Sequence, residues 1–197
     1  ADMARLFAES LGVDVEFTTV TAATRGELLD SGDIDCVLAT FTITDERKET
    51  WDFTTPYYTD AVTVLVEDSS GITGLADLIG RTVGVSSGST SARELVRAMV
   101  EQGLVSGDNF DPDTFDATTW TEGVSFHQYD DYPTISTALS AGEVDAFCVD
   151  RPILATYTTE ARPYTQAAVT PPDYDITTSK RPSACRVLQT CAQPRPP

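Results

Sequence analysis

The sequence is short of several residue types, and each shortage argues against a class of protein. It contains one histidine, His127, and four cysteines, none of which form a CxxC pair. Because metal sites need several such ligands at close spacing, we expect neither a metal nor a cofactor. The single histidine also leaves no Ser/His/Asp or Cys/His set for nucleophilic catalysis. No stretch approaches the ~20 apolar residues that a membrane-spanning helix needs.

Basic residues are scarce as well. The chain has 13 Lys and Arg against 31 Asp and Glu, for a net charge of −18. Such an excess of negative charge argues against a nucleic-acid partner and against binding to an anionic membrane surface. It says little about a small ligand, whose site is set by local charges. The 197 residues, 41% of them apolar, suffice for one large domain or two small lobes with a real core.

Helical and strand patterns alternate along the chain. Helices are predicted at 2–11, 24–31, 75–79, 91–100, around 135–139 and from 152, and strands at 13–17, 35–40, 62–66, 82–85, 124–129, 144–149 and 165–170. This alternation predicts an α/β protein with mostly parallel sheets. Cys36 and Cys148 lie in apolar strand patterns, so we expect both to be small buried side chains. Residues 106–123 are acidic and loop-like, and the stretch 108–116 within them lacks the glycine and the terminal glutamate of a calcium-binding loop, so it is interpreted as a solvated insertion.

The most informative stretch runs from Asp35 to Tyr58. An apolar strand pattern is followed by the hydroxyls of Thr40, Thr42 and Thr44, then by a charged cluster that contains Arg47, then by aromatic residues. In open α/β sheets, ligands bind just outside the carboxyl ends of the strands. This strand end therefore looks like a site for a small anion or zwitterion. The alternative is a strand that leaves the core into a solvated loop with a surface ion pair.

A repeated segment supports a two-lobed arrangement. Residues 29–40 and 139–150 both read as a helix end, a glycine, an acidic residue, an aliphatic residue, an aspartate and a buried strand. The repeat places Thr40 and Asp150 at equivalent strand ends of two similarly built lobes. The alternative is chance similarity between two ordinary helix-to-strand turns.

Complementary charges then converge from three places. Arg47 offers a fork of donors suited to a carboxylate, and the amides of Ser89, Thr90 and Ser91 lie where a strand turns into a helix start. Asp150, with the hydroxyl of Thr42, can accept from an ammonium group. Together these groups describe a receptor for the backbone of a free α-amino acid.

Each of these residues also has a simpler structural explanation. Asp150 can cap the helix that follows it, and Ser89 or Ser91 can cap theirs. The Ser91-Ala92-Arg93-Glu94 run has the spacing of a capping box. Arg47 can pair with a neighbouring acid.

Three motifs resemble those of one family. Residues 31–58 (SGDIDCVLATFTITDERKETWDFTTPYY), 80–91 (GRTVGVSSGSTS) and 138–150 (ALSAGEVDAFCVD) are similar to motifs of the extracytoplasmic amino-acid-binding proteins of ABC importers, in the glutamine- and glutamate-binding branch of solute-binding protein family 3. The resemblance covers about residues 1–180. It implies the two-lobed type 2 periplasmic-binding-protein fold, with lobe 1 at 1–67 plus 173–197 and lobe 2 at 68–172.

The resemblance also implies a ligand site. Its candidate residues are Thr40, Phe41, Thr42, Arg47, Ser86, Ser89, Thr90 and Asp150. Arg47 and the Thr90 amide would bind the α-carboxylate, and Asp150, Thr42 and the Thr40 carbonyl would bind the α-ammonium. Phe41 would line the pocket. Ser86 stands where some glutamine binders have lysine, and Val149 where they have histidine, so glutamine specificity is in doubt.

By this resemblance the protein is not an enzyme. It would be an extracytoplasmic, monomeric receptor that captures a free polar amino acid, similar to glutamine or glutamate, and passes it to ABC permease subunits. One alternative is a dehydratase of prephenate-like acids on the same scaffold, with Asp150 or Glu94 as its proton shuttle. Another is the ligand-sensing domain of a receptor.

Two parts of the chain depart from the family pattern. The family's first strand would precede Ala1, so we expect lobe 1 to be incomplete. The tail from 179 to 197, SKRPSACRVLQTCAQPRPP, matches nothing in the pattern. We hypothesise a truncated gene that ends in an altered reading frame or other non-native sequence. The alternative is a genuine disordered tail.

Overall fold

The computed structural model describes residues 2–58, 60–158, 164–167 and 183–186. The helices are α1 (Asp2–Leu11), α2 (Thr24–Ser31), α3 (Asp45–Thr50), α4 (Ser91–Glu101), α5 (Tyr132–Ala141) and α6 (Arg151–Leu154). The strands are β1 (Val37–Thr42), β2 (Val62–Glu67), β3 (Thr82–Ser86), β4 (Ser125–Tyr129), β5 (Ala146–Asp150), β6 (Tyr164–Ala167) and β7 (Ser183–Arg186). Short 3-10 turns occur at Asp68–Ser70 and Leu75–Leu78.

The larger sheet has five strands in the order β4-β3-β5-β2-β6. Strand β3 is parallel to β4 and β5, whereas β2 is antiparallel to β5 and β6. Four strands therefore run in one direction and β2 runs in the other. The expected α/β fold with a mostly parallel sheet is confirmed.

Helices cover both faces of this sheet. Val64 and Cys148 point into a core that contains Leu95 of α4, whereas Leu65 and Phe147 point into a second core with α5. Successive residues of a strand point to opposite faces, so a strand covered on both sides reads as a continuous apolar run. This explains why the sequence pattern located these strands well.

The second sheet is small. Strand β1 pairs antiparallel with β7, and its core consists of Leu29, Val37 and Phe41 with half-buried aromatic neighbours. Part of the tail, β7, supplies the partner of β1, although the tail matches nothing in the family pattern. Backbone hydrogen bonding to a strand edge needs no side-chain pattern. The other tail residues, and with them the hypothesis about the tail's origin, lie outside the described residues.

The predicted strand at 13–17 does not form. Residues 13–20 are irregular, and Val13, Val15 and Phe17 are exposed. Alternating apolar residues become a strand only where a neighbour accepts their backbone hydrogen bonds, and no described strand pairs with this segment. A cavity of about 940 Å³ lies beside it, lined also by α1 and by residues 33–38.

Three further expectations need adjustment. The predicted lobe boundary put β2 in lobe 1, yet β2 is hydrogen-bonded to β5 and β6 within the larger sheet. The insertion at 106–123 is a loop as expected, but it is anchored because Phe115 and Trp120 pack with each other and Phe115 packs on Phe126. Cys148 is fully buried, whereas Cys36 is only partly buried.

Candidate functional site

The repeated segment builds two strand ends that meet. Both α2 and α5 end at a left-handed glycine, Gly32 (φ 79°) and Gly142 (φ 73°), whose N–H donates to the leucine carbonyl three residues earlier. Glycine adopts this conformation without a steric penalty, which ends each helix and turns the chain into the next strand. The hydroxyl of Thr40 then donates a hydrogen bond to the carboxylate of Asp150. The two equivalent positions thus form one local site.

Asp150 is the last residue of β5 and is 7% exposed. Burial and the neighbouring carboxylate of Asp60 raise its pKa to about 6. The hydrogen bond from Thr40 and the charges of Arg25 and Arg47 lower the pKa, but they do not outweigh the burial. The side chain of Asp150 makes no capping bond to α6, so the explanation that it merely caps this helix was wrong. A buried carboxylate that is ionised at neutral pH attracts a cationic partner.

Arg47 approaches from α3. The hydroxyl of Thr44 caps this helix by accepting from the backbone N–H of Arg47 at 3.1 Å. The guanidinium donates to the carbonyls of Thr42 at 2.9 Å and Gly88 at 3.0 Å. Its charge interacts attractively with Asp150.

Burial and the charges of Arg25 and Arg93 lower the pKa of Arg47 to about 9, so the guanidinium stays protonated at neutral pH. Within the described residues no acid lies within ion-pair distance of Arg47, so the alternative interpretation, a surface ion pair of Arg47, was wrong. Arginine has five N–H donors, and the two carbonyl bonds leave others for a carboxylate.

The turn between β3 and α4 faces Arg47 and β1. The hydroxyl of Thr90 lies 3.2 Å from that of Thr42, which joins the two sheets at this point. The amide of Ser89 already donates to the carbonyl of Ser86 at 3.1 Å, so it is not the free donor that was expected. Helix α4 begins without a side-chain cap, and the expected capping box is absent, because Glu94 is engaged by arginines.

A cavity of about 410 Å³ opens at this junction. Of the eight predicted site residues, Thr42, Thr90 and Asp150 line it. Its volume lies in the range of small-molecule sites, and a free amino acid would fit within it. Arg47 lies beside it, held by the carbonyls described above.

The other predicted residues do not line this cavity. Phe41 is 2% exposed and packs against the rings of Trp51 and Phe53, each 5.6 Å away between centroids. Its expected role as a pocket wall was therefore wrong, because the small core of β1 needs its ring. Ser86 is buried at the end of β3, where its carbonyl holds the turn.

Three charged residues were missed. Arg25 on α2 is 5% exposed and donates to the carbonyl of Thr40 at 2.9 Å. On α4, Arg93 and Arg97 line the cavity and hold the carboxylate of Glu94 at 3.5 and 2.8 Å. The i, i+4 spacing of Arg93 and Arg97 was a usable signal for one helix face. Arg25 carries no such signal, since it is brought to Thr40 only by the packing of α2.

Glu94 does not suit the proton-shuttle role of the enzymatic alternative. Burial raises its pKa, but the charges of Arg97 and Arg93 oppose this and hold the carboxylate in an ion-paired cluster. Among the described residues no group of three or more possible metal ligands occurs, and none of their helices is long and apolar enough to cross a membrane.

Comparison with known proteins agrees with this architecture. Residues 1–108 match the model of the bacterial extracellular solute-binding proteins, family 3. A glutamine-binding protein of Geobacillus stearothermophilus is 32% identical over 141 residues, which cover 71% of this chain and 45% of that protein. The ABC transporter glutamine-binding protein GlnH of Bacillus subtilis (strain 168) is 30% identical over 189 residues, 93% of this chain and 61% of GlnH.

A solved structure, an ancestral arginine-binding protein bound to glutamine, superposes with a TM-score of 0.72 at 27% identity, covering 95% of this chain and 72% of that one. These relatives are named as binding proteins, not as enzymes. The chain spans about half the length of the curated relatives that it matches. Because the family model covers more than half of its residues, and because the fold agrees, the chain belongs to the bacterial extracellular solute-binding proteins, family 3.

Proposed function

We propose that this protein captures a free polar amino acid and delivers it to the permease of an ABC transporter outside the cytoplasm. The observation that carries the proposal is a buried carboxylate that lines the cavity, with a guanidinium beside the cavity. Asp150 comes from the larger sheet and Arg47 from the region of β1, and their charges interact attractively. A dipolar ligand needs such a pair of opposite charges, one for each of its ends.

The ammonium end of the ligand is assigned to Asp150, the hydroxyl of Thr42 and the carbonyl of Thr40. The carboxylate end is assigned to Arg47 and the backbone amide of Thr90. The carbonyl of Gly88, which now accepts from Arg47 at 3.0 Å, is a weaker acceptor than a carboxylate. The remaining N–H donors of Arg47 would therefore bind the anionic ligand carboxylate more strongly than its present bonds hold the neutral carbonyls.

The two-lobed division remains part of the proposal, with one boundary moved. Because β2 is paired inside the larger sheet, we move the first lobe boundary from 67/68 to the segment before Val62. The contact between Thr42 and Thr90 then joins the two lobes across the cavity. The second boundary, expected at 172/173, lies outside the described residues.

The relatives support an amino acid as the ligand, since their names refer to glutamine and arginine. The site groups assigned above contact only the backbone atoms that all free amino acids share. We propose a polar amino acid, and the serine at 86 and the valine at 149 argue against the glutamine contacts expected from some family members.

The test is a thermal-shift screen of the twenty amino acids on the full chain, followed by calorimetry with the best ligand. In Arg47→Ala the ligand carboxylate loses its cation, and we expect a loss of roughly 2–5 kcal/mol, or about 30-fold or more in affinity. The control is Lys48→Ala, because Lys48 lies next in α3 and its ammonium pairs with exposed Asp45 at 3.3 Å. If Arg47→Ala binds the ligand with unchanged affinity, Arg47 does not bind the ligand carboxylate and the proposed site is wrong.

A further inference from the structure

We propose that Arg25 is a positioning residue of the ligand site, which orients the carbonyl of Thr40 and keeps Asp150 in the charged form that accepts an ammonium group. This inference rests on the proposed amino-acid-binding function. It names a residue that no motif of the sequence marks.

The position of Arg25 is unusual for an arginine. It lies in the first turn of α2, it is 5% exposed, and its guanidinium carbon is 3.9 Å from the centroid of the Phe41 ring. A buried guanidinium is costly unless its charge and its donors are matched by nearby groups. The groups that neutralise the charge of Arg25 and accept its hydrogen bonds should therefore explain why an arginine is buried at this position.

Two arginines share the ring of Phe41. The guanidinium carbon of Arg47 lies 4.6 Å from the same centroid, and the charge of Arg25 lowers the pKa of Arg47. Such like charges are tolerated where negative charge balances them. Asp60 and Asp150, 5% and 7% exposed, supply two carboxylates at the same place. Around the Phe41 ring and Asp150, two cations are thus matched by two anions.

Arg25 connects to the ligand-binding groups through Thr40. It donates to the Thr40 carbonyl at 2.9 Å, and the hydroxyl of Thr40 donates to Asp150. A carbonyl oxygen has two acceptor positions, so one bond from Arg25 fixes its direction and leaves the other for a ligand ammonium. Arg25 acts on the ligand through Thr40 and Asp150 and has no assigned contact of its own.

The charge of Arg25 also acts on Asp150, whose pKa it lowers. The titratable and charged groups that interact with Asp150 are Asp60 before β2, Arg25 on α2, Arg47 on α3, Tyr132 on α5 and Cys148 on β5 itself. Of these, Arg25 and Arg47 favour the ionised carboxylate, whereas Asp60 disfavours it. Removing Arg25 would leave Arg47 as the remaining cation of this set.

The direct experiment needs no ligand. The full chain is labelled with carbon-13 at the aspartate carboxyl, the Asp150 signal is assigned with Asp150→Asn, and its titration midpoint is measured by NMR. In Arg25→Met we expect this midpoint to rise by about one pH unit or more, because one of two nearby cations is lost.

The matched control is Arg81→Met, which makes the same change in net charge. Arg81 pairs with Asp145 at 3.2 Å away from the site. We expect the Asp150 midpoint to be unchanged in this variant. Arg25→Lys, which keeps the charge but loses the planar fork, should also leave the midpoint near that of the unaltered chain.

A binding measurement separates positioning from mere structural support. Calorimetry with glutamine as the probe, from pH 5 to 8, should show that the pH at which affinity falls moves upward in Arg25→Met by the same amount as the NMR midpoint. A purely structural role would weaken binding or lower the melting temperature equally at every pH.

The proposal is overturned if folded Arg25→Met has the same Asp150 midpoint as Arg81→Met. Should circular dichroism show that Arg25→Met does not fold, Arg25→Gln carries the same comparison, since it makes the same change in net charge and keeps a polar side chain. If no amino acid binds at any pH, the proposed function fails, whereas the NMR midpoints still decide whether Arg25 controls the charge of Asp150.

Discussion

The two copies of the repeated segment lead into strands of different sheets, β1 and β5, and these two strands differ in burial. In the second copy of the repeated segment, Phe147, Cys148 and Val149 are at most 1% exposed. Of the matching positions of the first copy, Val37 is buried at 3% exposed, whereas Leu38 and Ala39 are only partly buried. Helices cover both faces of the larger sheet, whereas β1 has β7 as its one described partner.

This difference shows that a local pattern decides the type of an element, and that the covering layers decide its burial. It also shows where the candidate site lies. The less covered region supplies Arg25 and Arg47, and the layered region supplies Thr90 and Asp150. Because the cavity lies between these two regions, charged groups that are mostly buried can still reach a ligand in it.

The sharpest test of this comparison truncates a leucine side chain in the core of the larger sheet and another on the exposed helix α1. Leu95 of α4 is 0% exposed, whereas Leu6 of α1 is 66% exposed. Leu95→Ala should lower the free energy of unfolding by about 2–5 kcal/mol, because it leaves a cavity in a packed core. Leu6→Ala should change it by less than about 0.5 kcal/mol. Urea unfolding followed by circular dichroism measures both, and equal losses would contradict the contrast in burial.

A second test concerns the carboxylate where the two regions meet. The pKa of Asp150 is raised from 3.8 to about 6, so the folded chain binds this proton more tightly than the unfolded chain. The ionised carboxylate therefore costs stability above pH 6, and this cost disappears as the pH falls towards 4. Asp150→Asn should stabilise the ligand-free chain by about 3 kcal/mol at pH 7 to 8 and progressively less below pH 6.

The measurement is urea unfolding of both proteins between pH 4 and 8, with Asp113→Asn at the exposed insertion as the control. A stability gain that does not vary with pH would show that burial does not raise the pKa of Asp150. Ligand affinity should decrease in the same variant, because the anion that faces the ammonium is gone.

The smallest effects come from adding one methyl group in each region. A Cβ on Gly84 would lie 2.6 Å from Cγ2 of Ile135 and 3.3 Å from Cγ2 of Val144, between covered layers. Gly84→Ala should cost about 1–3 kcal/mol. A Cβ on Gly26 would also come within 2.6 Å of the Trp51 ring, but this ring is only partly buried.

For Gly26→Ala we expect a smaller net cost, below about 1 kcal/mol, because the ring can shift and alanine favours the helix over glycine by a similar amount. Thermal unfolding measures both variants, at about 2–4 °C per kcal/mol for a chain of this size. A larger loss for Gly26→Ala would mean that the region of β1 is as tightly packed as the larger sheet.

Sequence reasoning succeeded where a signal is local. Most helices and strands follow from hydrophobic periodicity, although α3, which has no apolar residue, was not predicted. The glycine stops of the repeated segment place Asp150 at the end of β5 as expected, whereas Thr40 lies within β1, two residues before its end. The roles of Arg47 and Thr90 in ligand binding, inferred from the chemistry of strand ends and helix starts, stay predictions. Sequence reasoning failed at 13–17, where alternation lacked a partner, and at Phe41, whose ring serves the core.

By itself, the sequence determined the α/β alternation, the order of the elements and the chemical types available at their ends, because these depend on periodicity and on residues close along the chain. The tertiary structure alone decided that β2 joins the larger sheet, that β7 pairs with β1 and that Arg25 reaches Thr40. These facts depend on contacts between distant segments, and a buried charge can be recognised only when the groups that neutralise it are seen beside it.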